Sequence, residues 1–234
     1  MPARRAARPP GRITSGEAAG RTPPKKVRRT HDERSGETQR RAVAAAVVCL
    51  HRHGFASTTT SQVADEAGIS RGAMLHQFPT RAALMLAVVR HVFEDERAQY
   101  RQAFEAVEGG FRDKMLAVPE IMWGILSRPQ AVAVLEILIE GRSDPSLSGP
   151  LAELQSQIEA EARESMLNRF PSRSFASLPE REAFHRLFVA AIRGLSIDAL
   201  RMGDGADIRD CVALLRRLLE LWLDSLRQSG AEAG

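Results

Sequence analysis

The residues best suited to chemistry lie in one stretch, TTSQVADEAGISRGAMLHQF, which runs from Thr59 to Phe78. Arg71 carries a planar pair of N–H donors that fits the two acceptors of guanine, and Gln77 can pair in the same way with adenine. Between them, Gly72 and Ala73 leave little side chain to keep a helix away from the surface it approaches. Because the DNA major groove admits one α-helix and presents base edges to it, these residues predict a base-reading helix.

Two short helices are needed to hold that stretch in position. Thr59 and Gln62 have the spacing of a capping box, which satisfies the free amides at a helix start. Gly68 can adopt the left-handed conformation of a tight turn, and Ser70 is a good N-cap for the helix that follows. Met74 and Phe78 are four residues apart and are expected to face inward. The pattern predicts a helix-turn-helix.

The remaining polar residues around this motif are candidates for the DNA backbone. Thr59 and Ser61 at the start of the first short helix, with Arg81 at the start of the next helix, are placed to donate to phosphates. Such contacts fix register and carry no sequence information. The full set of expected DNA-binding residues is Thr59, Ser61, Ser70, Arg71, Gly72, Ala73, Leu75, His76, Gln77 and Arg81.

The rest of the chain reads as helices separated by glycine and proline, and few stretches alternate with the period of a strand. Val43, Val47 and Leu50 mark one apolar helix face. The fold class is therefore all-α, with a three-helix DNA-binding domain joined to a helical C-terminal domain. The expected helices are Glu37–His53, Thr60–Ala67, Arg71–Phe78, Arg81–Val107, Arg112–Ser127, Pro129–Gly141, Pro145–Phe170, Pro179–Met202 and Ala206–Gln228.

Charge is distributed unevenly. The chain has 33 Lys and Arg residues against 29 Asp and Glu. Residues 1–36 hold ten of the basic and three of the acidic residues, a net charge of +7, together with five prolines and almost no large apolar side chain. They cannot bury enough surface to offset the entropy of ordering, so a disordered basic arm is expected. The predicted domains are 1–36 for this arm, 37–82 for DNA binding, and 83–230 for a helical C-terminal domain.

Several other classes of function lack the residues they require. None of the six histidines has a spacing that places two on one helix face beside a carboxylate, and no phosphate-binding glycine loop or nucleophile elbow occurs. We therefore expect neither an enzyme nor a metal or cofactor. The longest apolar run, from Ala42 to Leu50, is too short to span a membrane. Without a secretory h-region or a disulfide framework in its two cysteines, the chain is expected to be cytoplasmic.

Taken together, these residues resemble the TetR family of bacterial transcriptional regulators. The similarity extends over about 55 residues, from RRAVAAAVVCLHRHGF through the valine-alanine pair, the alanine-glycine-isoleucine-serine turn and the helix that ends in phenylalanine, to Leu84. Two positions depart from the family pattern. Leu75 replaces a tyrosine whose hydroxyl grips phosphate, and Arg81 replaces a lysine and keeps its charge. The resemblance implies a homodimeric regulator, most simply a repressor, that binds a palindromic operator and is released by a small molecule.

The resemblance also implies that the last two helices form the dimer interface and the central helices a ligand pocket. Core packing remains the competing explanation for both sets of apolar residues. A lipophilic effector is expected from the large pocket candidates, namely Phe93, Phe104, Met115, Met122, Trp123, Ile137, Met166 and Phe170. The candidates for the dimer interface are Phe184, Phe188, Leu195, Val212, Leu215, Leu219 and Trp222.

Two other functions fit parts of the sequence. An all-α carrier of small molecules could keep a structural helix-turn-helix, and it would show no salt-dependent affinity for DNA. Alternatively, the basic arm alone could make the chain a non-specific nucleic-acid binder, in which case removing residues 1–36 would abolish binding. The basic run from Pro23 to Arg29 also has the composition of a nuclear-import signal, or part of the arm could precede a later translation start.

Overall fold

A computed structural model of the protein describes residues 31–169, 180–202 and 206–228, and these residues form helices joined by turns. The all-α prediction is confirmed. The helices are α1 (His31–Ser57), α2 (Thr60–Ala67), α3 (Arg71–Gln77), α4 (Arg81–Ala106), α5 (Phe111–Leu116), α6 (Val118–Leu126), α7 (Pro129–Gly141), α8 (Ser148–Arg169), α9 (Glu180–Met202) and α10 (Ala206–Gln228).

The ends of the first three helices follow from local sequence. Gly54 interrupts α1 with φ 74° and ψ 169°, a conformation that a side chain would disfavour. The backbone amide of Gln62 donates to Thr59 Oγ1, and that of Thr59 donates to Gln62 Oε1, so the predicted capping box is formed. Gly68 ends α2 in the left-handed conformation, at φ 61° and ψ 39°. The predicted helix-turn-helix is confirmed with its caps.

Three predicted helix boundaries are wrong. The first helix begins at His31 and not at Glu37, so the helical N-terminus extends into the segment expected to be disordered. The predicted helix Arg112–Ser127 is two helices that meet at Ala117, because Pro119 cannot donate to the carbonyl four residues earlier and its ring clashes with it.

The third wrong boundary is the start of α8. It does not begin at Pro145, because the backbone amide and the hydroxyl of Ser146 both donate to Asp144 Oδ1, at 2.9 and 2.6 Å. These bonds close a turn before the helix can begin at Ser148. They also lower the pKa of Asp144, since they stabilise its charged form.

The largest apolar core joins the helix-turn-helix to the central helices. It contains the inner faces of α1, α2, α3 and the first half of α4, together with Ala133, Val134 and Ile137 of α7. Leu151 and other residues of α8 complete it. This core crosses the predicted domain boundary at residue 82, so the DNA-binding and C-terminal segments share one packed interior rather than meeting at a separable interface.

A second core occupies the other end of the long helix α4. Phe104 packs there with Met115 and Met122 from α5 and α6, and with apolar residues of α9 and α10 such as Ile192 and Leu219. The α4 helix therefore connects two cores, one beneath the helix-turn-helix and one beneath the last two helices.

Among the described residues, no single helix is long and apolar enough to cross a membrane. The segments Phe111–Leu126 and Pro129–Gly141 reach that length and apolar character only together, and they are bent by 76° relative to each other.

Two glycines allow a matched test of the helix-turn-helix turn. A Cβ at Gly68 would be held at positive φ and would lie 3.1 Å from Arg41 Nη2, whereas a Cβ at Gly124 in α6 would meet no atom within 4 Å. We expect Gly68→Ala to lower the free energy of unfolding by roughly 1–2 kcal/mol. Gly124→Ala should raise it by roughly 0.5–1 kcal/mol. Urea denaturation checks both values, and a neutral Gly68→Ala would show that the turn is not constrained.

Candidate nucleic-acid interface

One face of α3 is exposed and the other is anchored in the first core. Met74 and Phe78 are 1% and 3% exposed, whereas Leu75 is 55% exposed. Arg71, Gly72 and His76 are also exposed, and Ala73 is partly exposed. The predicted division of this helix into an inner and an outer face is therefore confirmed, and the outer face carries the residues expected to meet base edges.

The start of α3 combines a formed cap with open space. Ser70 Oγ accepts from the backbone amide of Ala73 at 3.1 Å. A Cβ at Gly72 would meet only Ser70 Oγ, at 3.9 Å, which is an ordinary contact. Internal packing therefore does not require glycine at position 72. Arg71, beside it, makes no ion pair or hydrogen bond within the described parts of the chain.

The turn before α3 is held by a residue that the sequence did not single out. Arg41 of α1 donates from Nη2 to the backbone carbonyls of Ala67, at 2.5 Å, and Gly68, at 3.1 Å. These carbonyls lie at the end of α2, where a helix leaves its acceptors unpaired and where positive charge is favoured. Arg41 thus fixes the C-terminus of α2, and with it the direction in which α3 begins.

Gln77 has a contact that changes its predicted role. Its Nε2 donates to Ser35 Oγ of α1 at 2.7 Å, across 42 positions in the sequence. Part of the amide expected to read adenine therefore ties the first turn of α1 to the end of α3. Arg34, the residue before Ser35, is exposed. Neither Arg34 nor Ser35 was predicted to belong to this region, because both fall in the segment 1–36 that was expected to be disordered.

Arg81, predicted as a phosphate ligand, makes three contacts within the protein. Its Nε donates to the carbonyl of Thr58 at 2.9 Å, its Nη2 donates to the carbonyl of Phe55, and its guanidinium lies 4.0 Å from the centre of the Phe55 ring. The side chain therefore spans the turn between α1 and α2. Thr59, in the same turn, uses its hydroxyl in the capping box. Ser61 is partly exposed at the start of α2.

Most of the predicted pocket residues are packing residues. Phe104, Met115, Met122 and Trp123 belong to the second core or pack against it, and Ile137 is fully buried in the first core. The side chain of Met166 and the whole of Phe170 lie outside the described residues. Of the predicted set, Phe93 lines a cleft among the described residues. The cleft lies between α4, α6, α7 and α9.

The polar residues of this cleft were not predicted. Glu96 of α4 lines it together with Arg193 and Ser196 of α9, and the other lining residues are apolar. Burial raises the pKa of Glu96 to about 7, and the nearby charge of Arg193 opposes that shift. Ser196 is 4% exposed, and its hydroxyl lies 2.9 Å from the carbonyls of Leu126 and Ile192. The spacing of Glu96 and Arg193 in the sequence did not indicate that they line one cleft.

The predicted dimer residues point toward the protein's own core. Phe188, Val212 and Leu219 are buried in the second core, and the other predicted residues, Phe184, Leu195, Leu215 and Trp222, pack against it, with Phe184 stacked on Trp222 at 4.1 Å between ring centroids. Packing within the chain's own core, the alternative explanation for these residues, therefore accounts for this face. A different apolar face of the same helices is exposed, and it comprises Leu187, Ile197, Leu200, Leu214, Leu218 and Leu221.

Comparison with known proteins agrees with this geometry. Residues 42–88 match the model of the bacterial regulatory proteins of the tetR family, and this match spans α2, α3 and parts of α1 and α4. The chain is 29% identical over 179 residues to the HTH-type transcriptional regulator CymR of Pseudomonas putida, covering 76% of this chain and 86% of that protein. Residues 42–88 therefore form a DNA-binding domain of the TetR family, whose members are transcriptional regulators and not enzymes.

Two further TetR-family comparisons extend the similarity. The chain is 30% identical over 122 residues to the HTH-type transcriptional repressor Rv1474c of Mycobacterium tuberculosis, which covers 52% of this chain and 60% of that protein. The crystal structure of a TetR-family regulator from Rhodococcus superposes with a TM-score of 0.61 at 18% identity, covering 79% of this chain and 98% of that one. The fold thus extends through the C-terminal helices.

The Arg81 geometry gives a prediction that separates two roles. A lysine keeps the charge but cannot span two carbonyls or lie flat on Phe55, so Arg81→Lys should lower the melting temperature if the residue fixes the α1–α2 turn. Loss of one hydrogen bond from a charged group costs roughly 1.5–3 kcal/mol. At about 2–4 °C per kcal/mol in a chain of this size, the decrease should be several degrees.

Arg101→Lys, in the same helix, is the matched control and should leave the melting temperature unchanged. Differential scanning calorimetry and a DNA-binding assay should be run on each variant. An Arg81→Lys protein that keeps its melting temperature would contradict this structural role for the guanidinium of Arg81.

Proposed function

We propose that the protein is a repressor that binds a palindromic operator as a homodimer and releases it when a small molecule occupies the C-terminal half. The observation that carries this proposal is the outer face of α3. An unpaired Arg71 stands there beside a glycine that internal packing does not need, on a helix anchored by Met74 and Phe78. A major groove requires this combination, because the backbone must approach the bases closely while a guanidinium pairs with guanine.

The distribution of charge supports the same orientation on DNA. Residues 1–36 carry a net charge of +7 and residues 37–82 carry +2, whereas the remainder carries −5. Positive charge is thus concentrated in the segment that meets the phosphate backbone, which supplies most of the non-specific affinity of DNA-binding proteins. We assign direct base contacts to Arg71, Gly72, Ala73 and His76, with Leu75 as an apolar contact. Ser61 and Ser70 are assigned to the DNA backbone, and Thr59 and Arg81 to positioning.

The exposed apolar face of the last two helices supports dimerisation. Six of the nine large apolar residues exposed in the described structure lie on α9 and α10. Leu214, Leu218 and Leu221 recur at intervals of four and three residues along α10, which is the spacing of one helix face. On α9, Ala190 and Gly194 are exposed between Leu187 and Ile197, so a second helix can approach closely. A second copy of this chain is the occupant that we propose for this face.

A dimer built on this face explains how ligand binding can control DNA binding. The two recognition helices must lie about one turn of DNA apart, roughly 34–36 Å, to enter successive major grooves. The cleft is lined by α7 residues, and α7 also packs on α1 in the first core. A ligand that favours another separation of the two helices needs a coupling of only about 1–3 kcal/mol to change occupancy about 5- to 150-fold.

Base reading by Arg71 can be tested on the operator itself. The operator is obtained by selecting from randomised duplexes with the wild-type protein. A bidentate contact to guanine contributes roughly 1–3 kcal/mol to discrimination, so Arg71→Ala should weaken operator binding about 5- to 150-fold and random-sequence binding much less. Titrations by fluorescence anisotropy at several salt concentrations give both affinities. Arg101→Ala removes the same charge 20 residues beyond Arg81 on α4, and it should leave both affinities unchanged.

Equal losses on operator and random DNA would contradict base reading by Arg71. A wild-type protein without salt-dependent DNA affinity would contradict the function itself, since it would match a carrier of small molecules. Removal of residues 1–30 tests the arm separately, because a regulator that reads its operator through α3 should keep the same footprint while its general affinity falls.

The proposed dimer interface can be tested by a charge placed at its centre. Leu218 is 50% exposed in the single chain, and Leu218→Glu should place a charge in the middle of the proposed interface. We expect this variant to be a monomer by light scattering and to lose operator affinity, with its helix content unchanged. Ile139 is exposed to a similar degree, 47%, on α7, so Ile139→Glu is the control and should remain dimeric. A dimeric Leu218→Glu protein would contradict this interface.

A further inference from the structure

The cleft between α4, α6, α7 and α9 has a composition that suggests the chemistry of its ligand. Phe93 of α4, Leu126 of α6 and five residues of α7 give it an apolar lining, and Glu96 and Arg193 place one carboxylate and one guanidinium on it. Its enclosed space holds about one water molecule, so a ligand must displace side chains to enter. Mostly apolar pockets with a few convergent polar groups are the usual form of small-molecule sites.

Glu96 and Arg193 are not consumed by structural contacts. Within the described residues, neither side chain makes a hydrogen bond or an ion pair within 4 Å, although Arg90 and Arg97 of α4 and Arg128, which precedes α7, each have a partner. Burial raises the pKa of Glu96 to about 7, and Asp95 on the same helix adds to that shift, whereas Arg193 opposes it. The residues that α6 and α7 contribute to the cleft are uncharged. These two charges are thus available to a ligand.

The two groups differ in how easily they change charge. Arg193 stays protonated at any pH in which the protein folds, because a guanidinium is not deprotonated in proteins. Glu96 can take up a proton near neutral pH at little cost. The pair can therefore shift from net neutral to net positive, but it cannot become net negative unless Arg193 moves away. An anion is consequently accepted more easily than a cation, which Arg193 would repel.

We propose that the effector is a small amphipathic anion whose carboxylate pairs with Arg193 and whose apolar body fills the cleft against α7. This inference rests on the proposed ligand-responsive function and names the chemistry of that site. A planar guanidinium binds a carboxylate through two parallel hydrogen bonds. When the ligand binds, the ionised fraction of Glu96 takes up a proton from solvent, and the Glu96 O–H can then donate to the ligand carboxylate.

Matched series of probes test the sign of the charge. One series is phenylpropionate, phenylpropanol and phenylpropylamine, and the other is octanoate, octanol and octylamine, so that each series keeps one body and changes only the head group. We expect the acids to raise the melting temperature of the DNA-free protein and the alcohols and amines not to do so. An equal or larger increase with an alcohol or amine, or no acid-specific increase in either series, would overturn the proposal.

Two variants locate the binding group. Arg193→Gln should abolish the increase in melting temperature with the acids, and Arg186→Gln, an exposed arginine on the same helix, should retain it. Circular dichroism checks that both variants fold. If the acids stabilise Arg193→Gln as much as wild type, they bind elsewhere and the proposal fails. These measurements use no DNA, so they are independent of the Arg71 test, and a protein that binds the acids without reading an operator would sink only the proposed function.

The proton gives a second readout, which a purely structural pair would not produce. Because free Glu96 titrates near pH 7, acid affinity should be constant below that value and should fall about tenfold per pH unit above it. Calorimetric titration in buffers of different ionisation enthalpy should show proton uptake that rises with pH toward one proton per ligand well above pH 7. Glu96→Gln should remove the pH dependence and keep the affinity. A pH-independent affinity in the wild-type protein would contradict the role of Glu96.

Discussion

The packing of α7 against α1 is the contact on which the rest of the structure depends. Alanine and valine side chains of α7 lie in the same core as the inner faces of α1 and the recognition helix. A three-helix unit of about 50 residues buries little surface, so it would be only marginally stable alone. The shared core adds to its stability. The orientation of α3 is therefore not independent of α7, and any force that moves α7 is transmitted through close-packed side chains.

Polar contacts also hold the end of α1 to α4 and α7. Arg81 of α4 donates to the carbonyls of Phe55 and Thr58, and Glu136 of α7 accepts from the backbone amide of Phe55. Thr58 is fully buried between them, and its hydroxyl donates to Gly54 at 2.8 Å. The turn that starts the helix-turn-helix is thus held from α4 on one side and from α7 on the other. Both of these helices also line the cleft.

The parts of the structure that sequence predicted are those governed by near neighbours. The α2 helix was predicted to the residue because Thr59, Gln62 and Gly68 determine its ends within ten positions. The break at Ala117 could have been predicted from Pro119, and it was missed because the apolar pattern continues through it. Other features depend on distant residues. Gln77 meets Ser35 across 42 positions, and α10 is apolar on two faces, so its sequence does not tell which face meets its own core.

Glu136 adds an unfavourable polar contribution at the junction of α7 and α1. One of its carboxylate oxygens is buried without a hydrogen-bond partner, and burial raises its pKa despite the opposing Phe55 amide and the nearby His51. A buried, unsatisfied polar group costs about 1–3 kcal/mol, which matches the size of a typical allosteric coupling energy. A small displacement of α7 that admits water to this oxygen recovers part of that cost. In the proposed ligand-responsive function, a ligand that displaces α7 from α1 would be favoured by this contribution.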